Sequence, residues 1–313
     1  MYSDSKKLQS QVVSSFSKER RVSIQKTCEL LGINRQSYYR SFWSEKEKEQ
    51  VATQVIVLVE NIRQRMPKIG VRKLYHILQS DLEELGVGRD KLFLILRNNR
   101  LLIRPTRSYH KTTNSYHRFK KHKNLVENVE ISNAEQVWVS DITYIGTREN
   151  PMYLALVTDA YSKKIVGYDV SSSLETVGCS RALQMALKKR NYPERSLIHH
   201  SDRGVQYCSY EYQKILQKNK VTCSMTQEHD PYENAVAERV NGILKQEFLI
   251  ASENTYVEWV KKMIGQSVKI YNTERPHFSL YMQTPEQTHL KENIKIRTYK
   301  KKNQTIERQS DYN

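Results

Sequence analysis

Apolar and polar positions alternate differently in the two halves of the chain. Five apolar runs rich in β-branched residues predict strands, at residues 137–145, 151–159, 164–170, 197–200 and 221–225. Apolar positions at helical spacing predict helices at residues 174–189 and 209–218, and another from about Glu233 through Leu244. A run of strands followed by alternating strands and helices is typical of a mixed sheet with helices on its faces, so the predicted fold class is α/β.

The region before residue 105 has helical patterns only. At residues 23–31, Ile24, Cys28 and Leu31 share one helix face, Gly32 ends the helix, and Asn34 can cap a second helix at 35–42. A charged helix at 44–65 follows, and then a second pair of helices at 69–78 and 89–98 around a turn at 85–88. The predicted domains are therefore a helix-turn-helix candidate, a second helical domain, a linker, an α/β core and a tail, at residues 1–45, 46–104, 105–135, 136–290 and 291–313.

The charge of the chain indicates what kind of partner it binds. The net charge of +17 and the pI near 9.5 imply a polyanionic partner, and nucleic acid is the default. A membrane surface is the rival, but no apolar run has spanning length, and the first residues do not resemble a secretory signal. Residues 91–126 contain ten Lys or Arg residues, Lys120 and Lys121 among them, and no acid. This stretch is predicted to follow the DNA backbone, although charge runs are also often only solvated.

The helical domains supply further candidates for DNA contact. The second helix of the first pair would present Arg35 and Arg40 to a groove. In the second domain, Arg72, Lys73 and Arg89 are expected to be exposed and to contact DNA. The alternative is that these helices only pack against one another, and the sequence leaves that open.

The four cysteines are widely spaced, without a Cys-x-x-Cys pair. This excludes the spacing typical of disulfide frameworks and of cysteine-rich zinc modules. A reducing cytoplasm is the expected setting.

Three carboxylates carry the candidate chemistry. Asp141 interrupts an apolar strand pattern, Asp202 directly follows another, and Glu238 lies on the last predicted helix. A buried carboxylate is costly unless it is paired or bound to metal, so acids at strand positions favour a cation site. Phosphoryl transfer between DNA strands uses two hard cations about 4 Å apart with oxygen ligands. The alternative is that such acids are turn formers, as expected for some of the 34 acids in the chain.

Other residues near these acids have less certain roles. Asp159 and Asp169 are rival carboxylates and are expected to be structural. His199 and His200 are expected to hydrogen-bond a ligand carboxylate. Arg275 could pair with a phosphate or with a core acid, and neither its role nor that of His277 is decided by the sequence.

Several motifs occur together in a characteristic order. They are Trp138-x-x-Asp141-Ile-Thr-Tyr144, Leu156-Val-Thr-Asp159, His200-Ser-Asp202-x-Gly204-x-Gln206-Tyr207, Ser224-Met225, Asn234-Ala-x-Ala-Glu238-x-x-Asn241-Gly-x-Leu-Lys245-x-Glu247, and Tyr271-Asn-x-x-Arg275-Pro-His277-x-x-Leu280 followed by Thr284-Pro-Glu286. Over about residues 20–290 the chain resembles the retroviral-integrase-like transposases, specifically the second-reading-frame product of the IS3 family of bacterial insertion sequences. One departure is Glu233 before Asn234, where family members often have Asp.

The resemblance implies a ribonuclease-H-like fold, with Asp141 on the first strand, Asp202 just after the fourth and Glu238 on a late helix. It also implies that Lys245 contacts the terminal DNA phosphates. The two-helix pattern at residues 69–78 and 89–98 matches the small helical domain that precedes the core in this family. The cysteine pattern does not match the zinc-binding front domain of retroviral integrases.

The function expected from the residues and the resemblance together is a DNA transposase with a DDE triad of Asp141, Asp202 and Glu238. It would use two Mg²⁺ ions, with Mn²⁺ able to substitute, to cleave 3′ ends and transfer strands. The expected partners are double-stranded DNA of the element ends and target, further copies of the chain, and an upstream-frame fusion segment; the expected location is the bacterial cytoplasm, at the nucleoid. Two alternatives stay open: a catalytically silent DNA-binding regulator, and a ribonuclease-H-like nuclease that cuts without joining.

Overall fold

A computed structural model of the chain describes residues 2–104, 122–127, 129–147, 149–227, 234–250 and 256–292. The chain forms two compact units. One comprises residues 1–64 and 78–102, and the other comprises residues 65–77 and the chain from Ile103 onwards. Lys120, Lys121, most of the predicted linker and the tail beyond residue 292 lie outside the described residues. None of the described helices combines the length and apolarity needed to cross a membrane.

Residues 2–98 form helices only, as the sequence predicts. They are α1 (Tyr2–Arg20), α2 (Ile24–Leu30), α3 (Arg35–Arg65), α4 (Val71–Ile77), α5 (Gln79–Glu84) and α6 (Arg89–Asn98). Val13, Cys28 and Tyr38 form a small core among the first three helices. The predicted cap is confirmed, because Asn34 Oδ1 accepts hydrogen bonds from the backbone N–H groups of Gln36 and Ser37.

Three features of this region differ from the sequence prediction. Helix α1 was not predicted. The helices predicted at 35–42 and 44–65 are one helix, because no glycine or proline interrupts residues 35–65, so the predicted domain boundary at residue 45 falls inside α3. Leu31 caps the end of α2 and is 39% exposed, so it does not share the buried face of Cys28.

Five strands form one mixed sheet. They are β1 (Val137–Gly146), β2 (Pro151–Asp159), β3 (Ile165–Ser171), β4 (Ile198–Ser201) and β5 (Thr222–Met225). The order across the sheet is β3-β2-β1-β4-β5, in which β1, β2 and β3 pair antiparallel and β4 pairs parallel with both β1 and β5. The predicted strand bounds agree with the observed ones to within one residue. The predicted fold class is confirmed: a mixed sheet with flanking helices follows an all-helical region.

In the described part of the chain, six α-helices accompany the sheet. They are α7 (Thr176–Lys188), α8 (Val205–Cys208), α9 (Tyr210–Lys218), α10 (Ala235–Glu247), α11 (Val257–Thr273) and α12 (Pro285–His289). Trp138 and Ile142 of β1 pack with residues of α7 and α9 on one face. Val137 and Val139 pack with Ala237 of α10 on the other. Because side chains alternate along a strand, Asp141 belongs to the face that α10 covers.

The sequence pattern did not predict helix α11. In the structure, Tyr271 and Asn272 belong to the last turns of α11. The Asn272 side chain accepts a hydrogen bond from the Ile165 N–H at 3.0 Å and donates one to the Ile165 carbonyl at 2.9 Å. The amide thus satisfies backbone groups of β3, which is an edge strand, and joins α11 to the sheet.

Asp159 and Asp169 are both engaged in local contacts. Asp159 accepts hydrogen bonds from the N–H of Glu135 and from both the N–H and the hydroxyl of Ser162, each at 2.7 Å. Asp169 pairs with Arg181 at 2.7 Å. These contacts supply the partners that an acid needs near the sheet, which fits the structural role expected for both.

His199 joins three elements of the core. Its Nε2 atom lies 2.7 Å from Ser140 Oγ of β1 and 2.9 Å from the Tyr212 hydroxyl of α9. The prediction that His199 hydrogen-bonds a ligand carboxylate is therefore wrong, because the fully buried ring points into the core. His200 Nδ1 lies 2.9 Å from Ser224 Oγ and so joins β4 to β5. The two histidines therefore connect β4 to β1 and to β5, close to the candidate acids Asp141 and Asp202.

Replacement of Gly167 should destabilise the sheet unit. A Cβ atom at this position of β3 would lie 2.1 Å from the Ala182 carbonyl and 2.9 Å from the Ala186 Cβ, both in α7. Gly167→Ala should lower the free energy of unfolding by about 1–3 kcal/mol, measured by chemical denaturation. Gly242→Ala is the matched control, since a Cβ there meets nothing within 4 Å and should stabilise helix α10 by up to about 1 kcal/mol. Equal effects of the two changes would contradict this packing.

His199 should contribute to acid sensitivity. Burial, and then the neighbouring His200, lowers the pKa of His199 to about 3. The unfolded chain binds a proton near pH 6.5 and the folded chain does not, so stability is lost as pH falls from 6.5 towards 3, by up to about 1.4 kcal/mol per pH unit. Denaturation at several pH values should show a shallower loss in His199→Gln than in the wild type. Parallel pH profiles would mean that His199 does not titrate this way.

Candidate catalytic site

Strand pairing places two of the predicted acids side by side. Ser140 of β1 pairs with Ser201 of β4 in parallel register. Asp141 and Asp202 are each the next residue along these strands. Since adjacent strands lie about 4.8 Å apart, the two aspartates are neighbours at one end of the β1–β4 pair.

The Asp141 carboxylate is held on both oxygens. Oδ1 accepts a hydrogen bond from the Ile142 N–H at 2.9 Å, and Oδ2 accepts one from Asn241 Nδ2 of α10 at 2.7 Å. Burial, then the charge of Asp202 and, to a smaller extent, that of Glu238, raises the pKa of Asp141 to about 7, although the two hydrogen bonds oppose this. The hydrogen bond from Asn241 also joins Asp141 to helix α10, the helix that carries Glu238.

One stripe of helix α10 lies along β1. Asn234, Glu238, Asn241 and Lys245 follow at intervals of four, three and four residues, so they share a helix face. Asn234 Nδ2 donates to the Ser140 carbonyl at 3.2 Å, and Lys245 Nζ donates to Thr143 Oγ1 at 3.2 Å. With the bond from Asn241 to Asp141, the stripe contacts three of four consecutive β1 residues. Glu238 lies between the two asparagines, and its side chain is exposed to solvent.

The loop after β4 is fixed against the core. Asp202 Oδ1 accepts a hydrogen bond from the Gly204 N–H at 3.0 Å. Gln206 Nε2 donates to the Leu174 carbonyl at 2.8 Å, and Tyr207 is buried. The loop therefore holds the backbone on both sides of Asp202 in a defined position.

The chemistry of the three acids fits a hard cation. All three side chains would ligate a metal through oxygen atoms, which are the ligands that Mg²⁺ prefers. The pKa values of Asp141 and Glu238 are both raised. Raised pKa values mean that the ionised carboxylates are not fully stabilised by the protein, and a cation would supply that stabilisation. Within the described residues, no three acids, histidines or cysteines are gathered closely enough to ligate one ion. The fit thus rests on donor type and charge, and Asp141, Asp202 and Glu238 are the residues that would hold the ion.

Asn241 belongs to one of the sequence motifs but was not among the predicted site residues. Asn241 is almost fully buried, and its Oδ1 atom has no hydrogen-bond partner among the described residues. Its spacing of three residues after Glu238 and four before Lys245 puts it on the same helix face as both. That spacing could have identified it.

The residues predicted to contact DNA differ in exposure. Arg35, Arg40, Arg72 and Arg89 are exposed; Arg35 stacks over Tyr39 and Arg89 pairs with Asp90. The prediction that Lys73 is exposed is wrong. Its side chain is only 8% exposed and its ammonium group lies 2.9 Å from Glu247 Oε1, because Lys73 lies on the inward face of α4.

The structure also answers the question left open for Arg275 and His277. Arg275 is fully buried and donates two hydrogen bonds of 2.8 Å to the Glu247 carboxylate, so its partner is a core acid. His277 Nε2 lies 3.1 Å from the Tyr271 hydroxyl. Burial, and then the charges of Arg275 and Lys73, lowers the pKa of His277.

Comparison with known proteins identifies the core. Models described as "Integrase core domain" match residues 132–231 and 219–285. A 31 kDa protein of insertion element IS600 from Shigella sonnei is 34% identical over 81% of this chain and 93% of its own length. The transposase InsF of insertion sequence IS3A from Escherichia coli K12 is 29% identical over 85% of this chain and 93% of its own length.

Solved structures were found as well. The catalytic core domain of HTLV-2 integrase in complex with magnesium is 18% identical, covering 50% of this chain and 97% of that one, with a TM-score of 0.40. The simian T-cell lymphotropic virus intasome in complex with a PP2A regulatory subunit is 17% identical, covering 74% of this chain and 79% of that one, with a TM-score of 0.45.

The similarity to the IS600 protein and to InsF spans nearly the whole of each relative, and the integrase core matches cover the sheet and helix α10. The chain therefore belongs to the IS3-family transposases, enzymes of DNA phosphoryl transfer that carry an integrase core domain.

Proposed function

We propose that this transposase cleaves the 3′ ends of its insertion sequence and joins them to new DNA, with Asp141, Asp202 and Glu238 as a magnesium-binding DDE triad. The observation that carries the proposal is the strand register that sets Asp141 beside Asp202, together with the hydrogen bond from Asn241 that joins Asp141 to helix α10, the helix that carries Glu238. Acids brought together from a strand, the end of another strand and a helix provide oxygen ligands for a divalent cation.

The proposed reaction has two steps of the same kind. In the first, a water oxygen attacks the phosphorus at the element end, and the bond from phosphorus to the 3′ oxygen breaks, leaving a 3′ hydroxyl and a 5′ phosphate. In the second, that 3′ hydroxyl attacks another phosphodiester, so a new phosphodiester forms and the target's 3′ oxygen leaves with a proton. Neither step requires a covalent link between protein and DNA, so no serine or tyrosine nucleophile is needed.

The residues of the chain act by positioning. Asn241 and the Ile142 N–H orient the Asp141 carboxylate, and the Gly204 N–H orients Asp202. When bound, two Mg²⁺ ions, or Mn²⁺ in their place, would supply positive charge to the attacking and leaving oxygens. Lys245, which lies beside Thr143 on the same stripe as Glu238, would bind a phosphate oxygen of the terminal DNA.

The proposed substrate is double-stranded DNA, with the element's two ends bound at once. Simultaneous binding of two ends calls for more than one copy of the chain. Arg35, Arg40, Arg72 and Arg89 are exposed and would contact phosphates, with Lys120 and Lys121 of the linker as further candidates. With the cell's own DNA as substrate, the chain would act at the nucleoid in the bacterial cytoplasm, alone or as part of an upstream-frame fusion.

Removal of any one acid should abolish joining. Asp141→Asn, Asp202→Asn and Glu238→Gln keep the shape of the side chain but remove a negative charge. Each should lower strand transfer by at least about 10³-fold and leave binding to end DNA largely intact, since the acids bind no phosphate directly. A plasmid that carries the gene with its natural flanking DNA tests this through amplification of the circular end-to-end junction.

The outcomes of that assay separate the alternatives. A junction in the wild type but in none of the three variants supports the triad, and a junction in a variant removes that acid from it. Metal-dependent cleavage without a junction would favour a nuclease that does not join. Binding of end DNA without any cleavage, also in a fusion with the upstream frame, would favour a silent regulator.

Asn241 should influence metal binding without contacting the metal. Asn241→Leu removes the donor to Asp141 Oδ2 while nearly keeping the volume of the side chain. Loss of such a partner of a metal ligand should weaken Mn²⁺ binding by about 10- to 100-fold, measured by electron paramagnetic resonance of the free ion. Gln246→Leu, a polar-to-apolar change at an exposed position of the same helix, is the control and should bind Mn²⁺ like the wild type. Equal affinities in both variants would show that Asn241 does not orient the ligand.

A further inference from the structure

A buried cluster of one acid and two cations lies at the end of helix α10. Glu247, the last residue of this helix, contacts Lys73 Nζ at 2.9 and 3.3 Å and receives two hydrogen bonds of 2.8 Å from Arg275. The side chains of Lys73, Glu247 and Arg275 are 8%, 17% and 1% exposed. We call these three residues the ion cluster.

The ion cluster joins parts of the chain that are far apart in sequence. Lys73 belongs to α4, 174 residues before Glu247, and Arg275 follows α11. The same segment makes two more contacts with these elements: the Lys68 N–H donates to the Glu247 carbonyl at 2.9 Å, and Arg65 pairs with Glu274. Residues 65–77 accordingly fall into the same compact unit as the sheet.

The matched integrase core begins at residue 132, well after this segment. Helix α10, in contrast, carries the candidate acid Glu238 and the proposed phosphate contact Lys245. Glu247 lies nine residues after Glu238 on this helix, about 14 Å along its axis. The asparagine contacts with β1 hold the first half of the helix, and the ion cluster holds its end.

Lys73 and Arg275 have different roles in the ion cluster. Arg275 binds Glu247 through two hydrogen bonds and also stacks near the Tyr271 ring, with 5.7 Å between its guanidinium carbon and the ring centre. Without Lys73, Glu247 would still be neutralised by Arg275. Lys73 is thus not needed to satisfy the acid, and its contact ties the segment 65–77 to the helix.

We infer that the catalytic unit of this transposase begins at Arg65 and that Lys73 is a positioning residue, which holds the end of α10 through Glu247. The inference rests on the proposed function, since its consequence is the placement of Glu238 and Lys245 on the DNA. It also places the exposed Arg72, the neighbour of Lys73, in the same compact unit as the acids. A DNA strand bound at Arg72 would then be held in a fixed position relative to the site of cleavage.

The test compares two lysines of this segment in the full-length chain. Lys73→Met removes the buried ammonium group and keeps the aliphatic stem. Lys68→Met makes the same chemical change five residues earlier, where the side chain is exposed. Lys73→Arg restores the charge. Two quantities are measured for each variant: hydrogen exchange of the α10 amides, and the strand-transfer rate at saturating end DNA.

The expected results differ between the variants. Lys73→Met should speed exchange in the last turns of α10 and lower the strand-transfer rate by about 10- to 100-fold, with an unchanged Kd for end DNA, because a misplaced helix affects the reaction more than the binding. Lys68→Met should match the wild type in both, and Lys73→Arg should recover a large part of the rate. Melting curves confirm that every variant is folded at the assay temperature.

Either of two results would overturn the inference. One is unchanged α10 exchange in Lys73→Met. The other is a wild-type rate per folded molecule in that variant, which would make Lys73 a contributor to stability only. If the wild type itself transfers no strands, the proposed function fails, and the exchange of α10 still decides whether Lys73 holds the helix.

Discussion

Burial of an acid near two other acids is the constraint on which this structure depends. This environment disfavours the ionised form of Asp141, because burial first, and then the charges of Asp202 and Glu238, raises its pKa to about 7. At Asp141 the fold supplies neutral hydrogen-bond donors, from Asn241 and the backbone of Ile142. Neutral donors leave the charge of Asp141 available to the cation of the proposed function, whereas a lysine or arginine at the same oxygens would compete with that cation.

Two local regularities put the acids where they are. Parallel pairing of β1 and β4 sets Asp141 beside Asp202, and the hydrogen bond between Ser140 and His199 joins these two strands. The helical period of α10 then brings Asn234, Glu238, Asn241 and Lys245 onto one stripe along β1. The strand fixes two acids and the helix adds the third, so a shift of one residue in either element would separate them.

The sequence predicted the parts of this arrangement that depend on local pattern. The strand bounds agree closely because the strands follow runs that are rich in β-branched and aromatic residues, and Asp141 and Asp202 were found because they break or end such runs. Contacts between distant residues could not be predicted in this way. Helix α11 was not predicted, because the motif near Tyr271 was considered without the residues that precede it. The exposure of Lys73 was predicted wrongly, because its partner Glu247 lies 174 residues away in the sequence. An isolated lysine in a basic helix gives no indication that it faces inward.

The ion cluster is difficult to explain by stability alone. Buried ion pairs often contribute no more than apolar side chains of similar volume, because two charges must leave water. Lys73 shows that cost, since burial and then the neighbouring Arg275 lower its pKa to about 8 although Glu247 opposes the shift. Charged hydrogen bonds are more directional than apolar contacts. The guanidinium of Arg275 and the ammonium of Lys73 therefore fix the orientation of the Glu247 carboxylate at the end of α10. In the proposed function α10 presents Glu238 and Lys245 to DNA, and its orientation comes both from the contacts of Asn234, Asn241 and Lys245 with β1 and from the ion cluster at its last residue.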